Sequence, residues 1–316
     1  MPLDKTQGLR LSNDELLGHL LENAQNRIQL AERLPFFPIT GDSLRVERAS
    51  AVDFGADPAF DDLVAPVNEG VAIPTLSLET KFELKLITQQ VIVNDFVAYN
   101  QSSVNSQVGV QLESATRRML YKFWKAFGVG VGPNEFDGIK TLAVAGQTID
   151  ANDPANFYLD LIDLARLVAK VTSNNGRPHV LWGNPKAFKS VLLAYFEKGL
   201  EPEYVMVSVP DSNGGMTQRP CLAFQGIPFY IDEFYPSTDT VGGFNDATSI
   251  YAITMGRGGL YGIVPSGFGS KMIRVKEVLG AVNSQTVYRL FWPVGLCLEK
   301  QDAIARLRFR AKAAVN

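Results

Sequence analysis

The chain has 316 residues, 30 basic and 33 acidic side chains, and a formal net charge of −3. Its 46% hydrophobic and 20% charged content excludes general disorder and a collagen-like or disulfide-dense scaffold, and the near-neutral balance argues against a free-standing nucleic-acid binder. The length is a prior for about two domains. Cys221 and Cys297 both lie among apolar residues and read as buried, reduced thiols; His19 and His179 belong to no Cys/His cluster of zinc spacing. The N-terminal Met1-Pro2-Leu3-Asp4-Lys5 lacks the pattern of a signal peptide, and no run of about 18 apolar residues predicts a membrane span, so the expected site of folding is a cytosol.

Residues Leu11 to Leu34 predict an amphipathic helix, with Ser12 and Glu15 as a capping box and Leu16, Leu17, Leu20, Leu21, Ala24, Ile28, Leu30 and Ala31 on one face. It docks either on its own domain or on a neighbouring subunit. Pro35-Phe36-Phe37-Pro38 ends it. Residues 41–80 then carry eight acids against two bases, Arg45 and Arg48, a net −6, while the remainder of the chain sums to +3. Ser43 to Val52 alternates as a strand, Gly70 to Leu78 returns as another, and a Gly/Asp/Pro-rich tip lies between them. Together they predict a long hairpin loop.

Leu76, Leu78, Phe82, Leu84 and Leu86 alternate with polar residues and predict one strand with one buried face. Asn94 or Asp95 is the expected cap of the longest helix, reaching about Phe127. Its apolar stripe is Val104, Val108, Leu112, Ala115, Met119 and Phe123. Such a helix would be a rod of roughly 50 Å. Gly109 inside it is either tolerated or a bend point.

Gly128 to Pro133 stops the helix, and Phe136-Asp137-Gly138-Ile139 hands the chain to a new domain. Residues 140–270 alternate strand and helix: a helix over Asn156 to Val171, a strand over His179 to Trp182, a helix from Pro185 to about Phe196, and strands at Gly226 to Phe234 and Ser249 to Thr254. Asp211 to Gly215 is a turn. Gly256 to Gly262 reads as a hairpin turn. Three β runs close the chain, Met272 to Leu279, Thr286 to Glu299 and Ala303 to Arg310. In the last, Arg306, Arg308 and Arg310 form a basic row, which is either a solvated face or a surface for acidic partners or nucleic-acid phosphate. The order suggests that both ends build one elongated domain around a compact middle.

Catalytic patterns fail one by one. There is no G-x-S-x-G, H-E-x-x-H or P-loop, and the glycines at 128–132 and 256–262 miss the dinucleotide spacing. Asp61 and Asp62 read as a solvated acidic pair rather than a cation site. No cofactor and no enzymatic activity are expected. What remains is an arm, a protruding loop and a long helix, elements that make sense when identical copies satisfy one another.

In this order the segments resemble the major capsid proteins of tailed bacteriophages, with the Hong Kong 97-like fold. The resemblance rests on the arm at 1–40, the loop at 41–78, the helix at 94–127 ending in Leu120-Tyr-Lys-Phe-Trp-Lys-Ala-Phe-Gly128, and Phe136-Asp-Gly-Ile-Lys140. It continues through Trp182-Gly-Asn-Pro-Lys-Ala-Phe, Gly226 to Asp232, Tyr288 to Leu298 and Asp302 to Leu307. It implies an α+β fold with an N-terminal arm, an extended β-hairpin loop, and a peripheral β-sheet domain over 79–139 carrying the spine helix. An α/β axial domain would span 140–270, and peripheral closing strands 271–316.

The resemblance also implies self-assembly into hexamers and pentamers of an icosahedral shell around double-stranded DNA, and procapsid maturation in which Gly109 is a bend candidate. A separate scaffolding protein is expected, because the helix at 11–34 is too short to be a cleaved scaffolding domain and the chain opens on Met1. A portal protein and a decoration protein are further implied partners. The candidate subunit contacts are Arg45, Glu47, Arg48, Asp61, Asp62, Phe136, Arg306, Arg308 and Arg310. The alternatives are an encapsulin nanocompartment shell, which also places a helix near its N-terminus, and a cytosolic α+β enzyme. Some relatives cross-link through a loop lysine, but no lysine occurs here between Lys5 and Lys81. Denaturing gels of assembled particles should therefore show the monomer band alone; a ladder of higher bands would contradict a noncovalent shell.

Overall fold

A computed structural model describes residues 33–48, 78–94, 104–153, 155–210, 216–232, 235, 239–268, 273–279 and 285–312. The first half contains β1 (Phe36–Ile39), β2 (Ser43–Arg48), β3 (Leu78–Glu83), β4 (Lys85–Asn94), α1 (Val104–Val129), α2 (Ile139–Leu142), β5 (Thr148–Asp150) and α3 (Leu161–Asn175). The second half contains β6 (Val180–Gly183), α4 (Pro185–Glu197), β7 (Glu203–Pro210), β8 (Met216–Phe224), β9 (Ile227–Ile231), β10 (Asp239–Val241), β11 (Phe244–Ile253), β12 (Leu260–Pro265), β13 (Arg274–Leu279), β14 (Gln285–Leu298) and β15 (Ile304–Arg310). The predicted helix at 11–34 lies outside the described residues except at its end, where Arg33 and Leu34 are not helical.

Three sheets result. One runs β1-β12-β14-β13, with β4 also paired to β14; a second runs β5-β15-β11-β6-β9-β8-β7, with β10 beside β11; β2 and β3 form a third by themselves. The 14-residue β14 organises the first sheet. Residues 285–294 of it pair with β4, residues 286–291 also with β13, and residues 295–298 with β12.

The eight-stranded sheet packs on both faces at its centre, while β7 at its edge leaves Tyr204 and Met206 exposed. On one face, Leu181, Phe229, Ile250, Ala252, Leu307 and Phe309 pack with Leu164, Leu167 and Val171 of α3 and Ala187 and Val191 of α4. On the other, Val180, Trp182, Tyr230, Tyr251 and Ile253 join the core of the first sheet and α1. The helix expected over 156–171 runs 161–175 instead, because its capping residues lie at 160 and 163, while α4 starts at Pro185 as expected. Asp160 and Asp163 form a capping box on α3, and Asn184 caps α4 with Pro185 in its first turn.

Aromatic side chains join the layers. Phe123 is fully buried, with its ring 4.8 Å from Trp292 of β14, 5.4 Å from Phe136 and 6.1 Å from Phe36 of β1. One turn on, Phe127 meets Trp182 of β6 edge-on at 5.5 Å. The loop after α1 is held close by two glycines: a Cβ on Gly138 would meet the Ala126 carbonyl oxygen at 2.5 Å, and one on Gly130 would meet it at the same distance.

Several expectations change. Phe36 to Ile39 does not merely end a helix; it is a strand paired in parallel with β12. β2 pairs with β3 at 78–83, and the return strand expected at 70–78 lies outside the described residues except at Leu78. The single strand expected over 76–87 breaks at Leu84, so Phe82 is buried on one side of the break, Ile87 on the other, and Leu86 is 61% exposed. Asn94 does not cap the long helix: it pairs with Gln285 at the end of β4, and α1 spans 26 residues, about 39 Å. The turn at 256–262 is not a hairpin, because β11 and β12 belong to different sheets.

The last strand departs most. β15 does not close the sheet of β13 and β14; it pairs antiparallel with β11 in the eight-stranded sheet. The apolar row Ala305, Leu307 and Phe309 fits the face covered by α3 and α4, and that burial decides its sheet. Replacing Phe123 with Ala should cost about 3–5 kcal/mol by denaturant unfolding, because one ring bridges β1, β14 and the 136 loop.

Candidate subunit-contact surface

The β2–β3 hairpin sorts its residues by pleat. Leu44, Val46 and Phe82 turn to the core of the first sheet. On the other face Arg45 stands opposite Lys81; the register continues with Glu47 against Glu79 and Arg48 against Leu78. Like charges directly across a ladder do not stabilise it. Lys81 is taken up along its own strand by Glu83 at 2.9 Å, and Lys85 reaches the same carboxylate at 2.9 Å. Those two hydrogen bonds, with the charges behind them, hold the Glu83 carboxyl down to about 2. Lys85 also donates to the Pro133 carbonyl at 3.0 Å, so this junction ties the hairpin base to the loop after α1. Arg45 is exposed on the outer row.

The remaining candidates separate. Asp61 and Asp62 lie outside the described residues. Phe136 is not a surface contact; it is 5% exposed and packed on Phe123. Gly109 lies within α1, half-buried.

The arginine row is not a free basic surface. Arg308 makes a two-pronged pair with Asp150 of β5, at 2.7 and 2.9 Å, and donates to the Thr240 carbonyl. Arg310 meets Asp246 of β11 at 2.9 Å, its guanidinium 4.4 Å from the centre of the Phe244 ring. Arg306 is the buried member. It pairs with Asp239 of β10, donates to Ser249 Oγ at 3.3 Å and lies over the Tyr251 ring. Ser249 in turn donates to Asp239. Burial by itself would raise the Asp239 pKa, but the hydrogen bonds from Ser249 and Arg306 outweigh it and leave the carboxyl below its ordinary value. Beyond the strand, Lys312 meets Glu197 of α4 at 2.6 Å. Each cation fastens β15 to a different element, so the row is a clasp within the chain.

The sequence patterns missed exposed apolar side chains. Leu86 and Ile92 stand out from β4, and Phe196, Leu200, Tyr204 and Met206 run from the end of α4 into β7. Leu86 was masked by an alternation that reads as core. No periodicity marked β7 and β8, which are visible only once paired. Among the described residues, no group of His, Cys, Asp and Glu could hold a metal, and no helix is long and apolar enough to cross a membrane. Both cysteines are free thiols, Cys297 buried and Cys221 partly so. His179, at the edge of β6, accepts from the Met255 backbone N–H through Nδ1 at 3.1 Å.

No protein-family model matches the chain, and no curated protein matches its sequence. Solved structures do match, over nearly the whole length. A structure of the holo-SrpI encapsulin complex from Synechococcus elongatus PCC 7942 aligns at a TM-score of 0.65 and 17% identity, covering 88% of this chain and 86% of that one. The capsid of a native GTA particle aligns at 0.60 and 13% identity, covering 89% and 90%. The chain has the Hong Kong 97-like fold. A structure from Microbacterium phage Oxtober96 aligns at 0.54 and 12% identity, over 89% and 90%. Sequences this far apart share the chain path, and the path is that of shell-forming proteins, phage capsids and an encapsulin among them.

The clasp predicts a pH dependence. Asp239 has a lowered pKa when folded, so its stabilisation is present above the unfolded carboxylate range near about 3.9 and fades as pH falls through the folded value. Asp239→Ala strands the Arg306 charge in a site where both side chains are about a tenth exposed, and should cost about 3–5 kcal/mol. Arg310→Ala, at the exposed end, should shift the urea midpoint far less. Equal shifts would show that burial does not grade the row.

Proposed function

We propose that this chain is the major capsid protein of a tailed bacteriophage, self-assembling as hexamers and pentamers into an icosahedral head around double-stranded DNA. The observation that supports the reading is the structural match to capsids of GTA particles, about nine-tenths of both chains in each case. Local geometry supports it. A two-stranded hairpin is marginal alone, and β2–β3 pairs with no third strand among the described residues. A neighbouring copy lying along the hairpin supplies the contacts that two strands by themselves lack. Arg45, Glu47 and Arg48 are the contacts this proposal keeps. Asp61 and Asp62 belong to the same acidic loop and stay with them. The arginines of β15 enter assembly only indirectly, by keeping the subunit rigid.

A separate scaffolding protein, a portal, a decoration protein and packaged DNA are the partners of this reading, and its location is the virion after assembly in the bacterial cytoplasm. Gly109 stays a bend candidate for maturation. A second reading, an encapsulin shell, is favoured by the 0.65 TM-score to the SrpI encapsulin. The two differ in content: DNA in one, a cargo protein in the other. No observed constellation favours an enzyme.

Negative-stain microscopy of the expressed protein, alone and with a candidate scaffolding protein, should show closed shells. Nucleic acid inside particles from infected cells supports the phage reading, and a co-purifying cargo enzyme supports the encapsulin. Arg45→Glu should abolish or sharply reduce shell yield while the circular dichroism of the subunit stays unchanged. A monodisperse monomer under every condition would overturn both readings.

A further inference from the structure

The first sheet has two unlike faces where β4, β14 and β13 lie side by side. Ile87, Tyr288, Leu290 and Trp292 turn inward and join Leu112, Met119 and Phe123 of α1 in one core. Side chains alternate along each strand, so the residues between them form the opposite face. Leu86 is 61% exposed there and Ile92 53%. The register sets Ile92 beside Val287, Gln90 beside Arg289 and Leu86 beside Pro293, with Lys276 of β13 directly across from Arg289. A row of cations thus runs between apolar rows.

Charge on this face has one sign. Arg274, Lys276 and Arg289 are all exposed, and Glu277, opposite Tyr288, belongs to the inner row. Arg274 donates to the Gly267 carbonyl. Among the described residues, no carboxylate pairs with Lys276 or Arg289. Two cations directly opposite on a ladder weaken it, so the pair calls for an anion from outside the sheet. The arginine row of β15 is the contrast: each of its cations already holds a carboxylate of its own chain.

We infer that this face of β4, β14 and β13 docks a second copy of the chain, which sets carboxylates on Lys276 and Arg289 between apolar contacts to Leu86 and Ile92. The apolar rows fit a protein surface better than nucleic acid, whose backbone offers phosphate and sugar. Charge selects another copy: the chain carries −3 overall, so −6 outside these three cations. The contact is heterologous, a cationic face on one copy meeting an acidic surface on the next, and such contacts close into rings when the rotation allows. The inference rests on the shell reading and names a docking face which that reading leaves open.

The test mixes heavy-isotope-labelled and unlabelled full-length chains before assembly and treats the particles with a carbodiimide, which joins an amine to a carboxylate only where the two touch. The expected product links Lys276 of one chain to an Asp or Glu of another, seen by peptide mass spectrometry as mixed-isotope pairs. Same-isotope pairs alone would mean that the carboxylate comes from the same subunit, and would overturn the inference. As an independent arm, the double variant Lys276→Glu/Arg289→Glu, with circular dichroism unchanged, should lower shell yield about tenfold or more, while Lys276→Arg/Arg289→Lys retains it. A charge-reversed variant that assembles as well as wild type overturns the inference and leaves the shell reading standing. Normal assembly with loss of packaged nucleic acid would assign the face to phosphate and overturn it as well. A wild-type chain that never assembles removes the shell reading and this inference together.

Discussion

The structure depends on one aromatic junction. Phe123 and Phe127, a turn apart on α1, touch the two large sheets at once, Phe123 against Trp292 of β14 and Phe127 against Trp182 of β6. Sheets built from distant segments have no covalent reason to keep a fixed relation. Here a single helix end supplies it, by burying large rings where small shifts open voids. Phe36 and Phe136 close around the same ring, so the first strand and the loop after the helix are set by it as well.

The second constraint is electrostatic. β15 crosses from one sheet into the other at the end of the chain. Three arginines then clip it to β10, β5 and β11, at depths from nearly buried to exposed. The exposed pair is worth little and the buried one is costly to break.

Part of this was legible in the residues. The amphipathic spacing of Leu112, Ala115, Met119 and Phe123 marks α1, and Asn184-Pro185 marks the start of α4, because caps and helical faces are local patterns. The arginine row on one face of β15 was equally plain. Its partners were not, since Asp150, Asp239 and Asp246 lie about 60 to 160 residues away. Nor was the break at Leu84, where two strands of similar alternation join different partners. Phe136 looked like a loop residue open to contact, and only the ring of Phe123 shows that it is core.

The sequence by itself determined the long helix, the start of α4 at Pro185, the short strand at 180–182 and the excess of acids over 41–80, because each is written in neighbouring residues. Tertiary structure alone decided which sheet each strand enters, which charges are already matched and which apolar side chains face water. Those depend on contacts between residues far apart in the chain, and no local pattern encodes the identity of a distant partner.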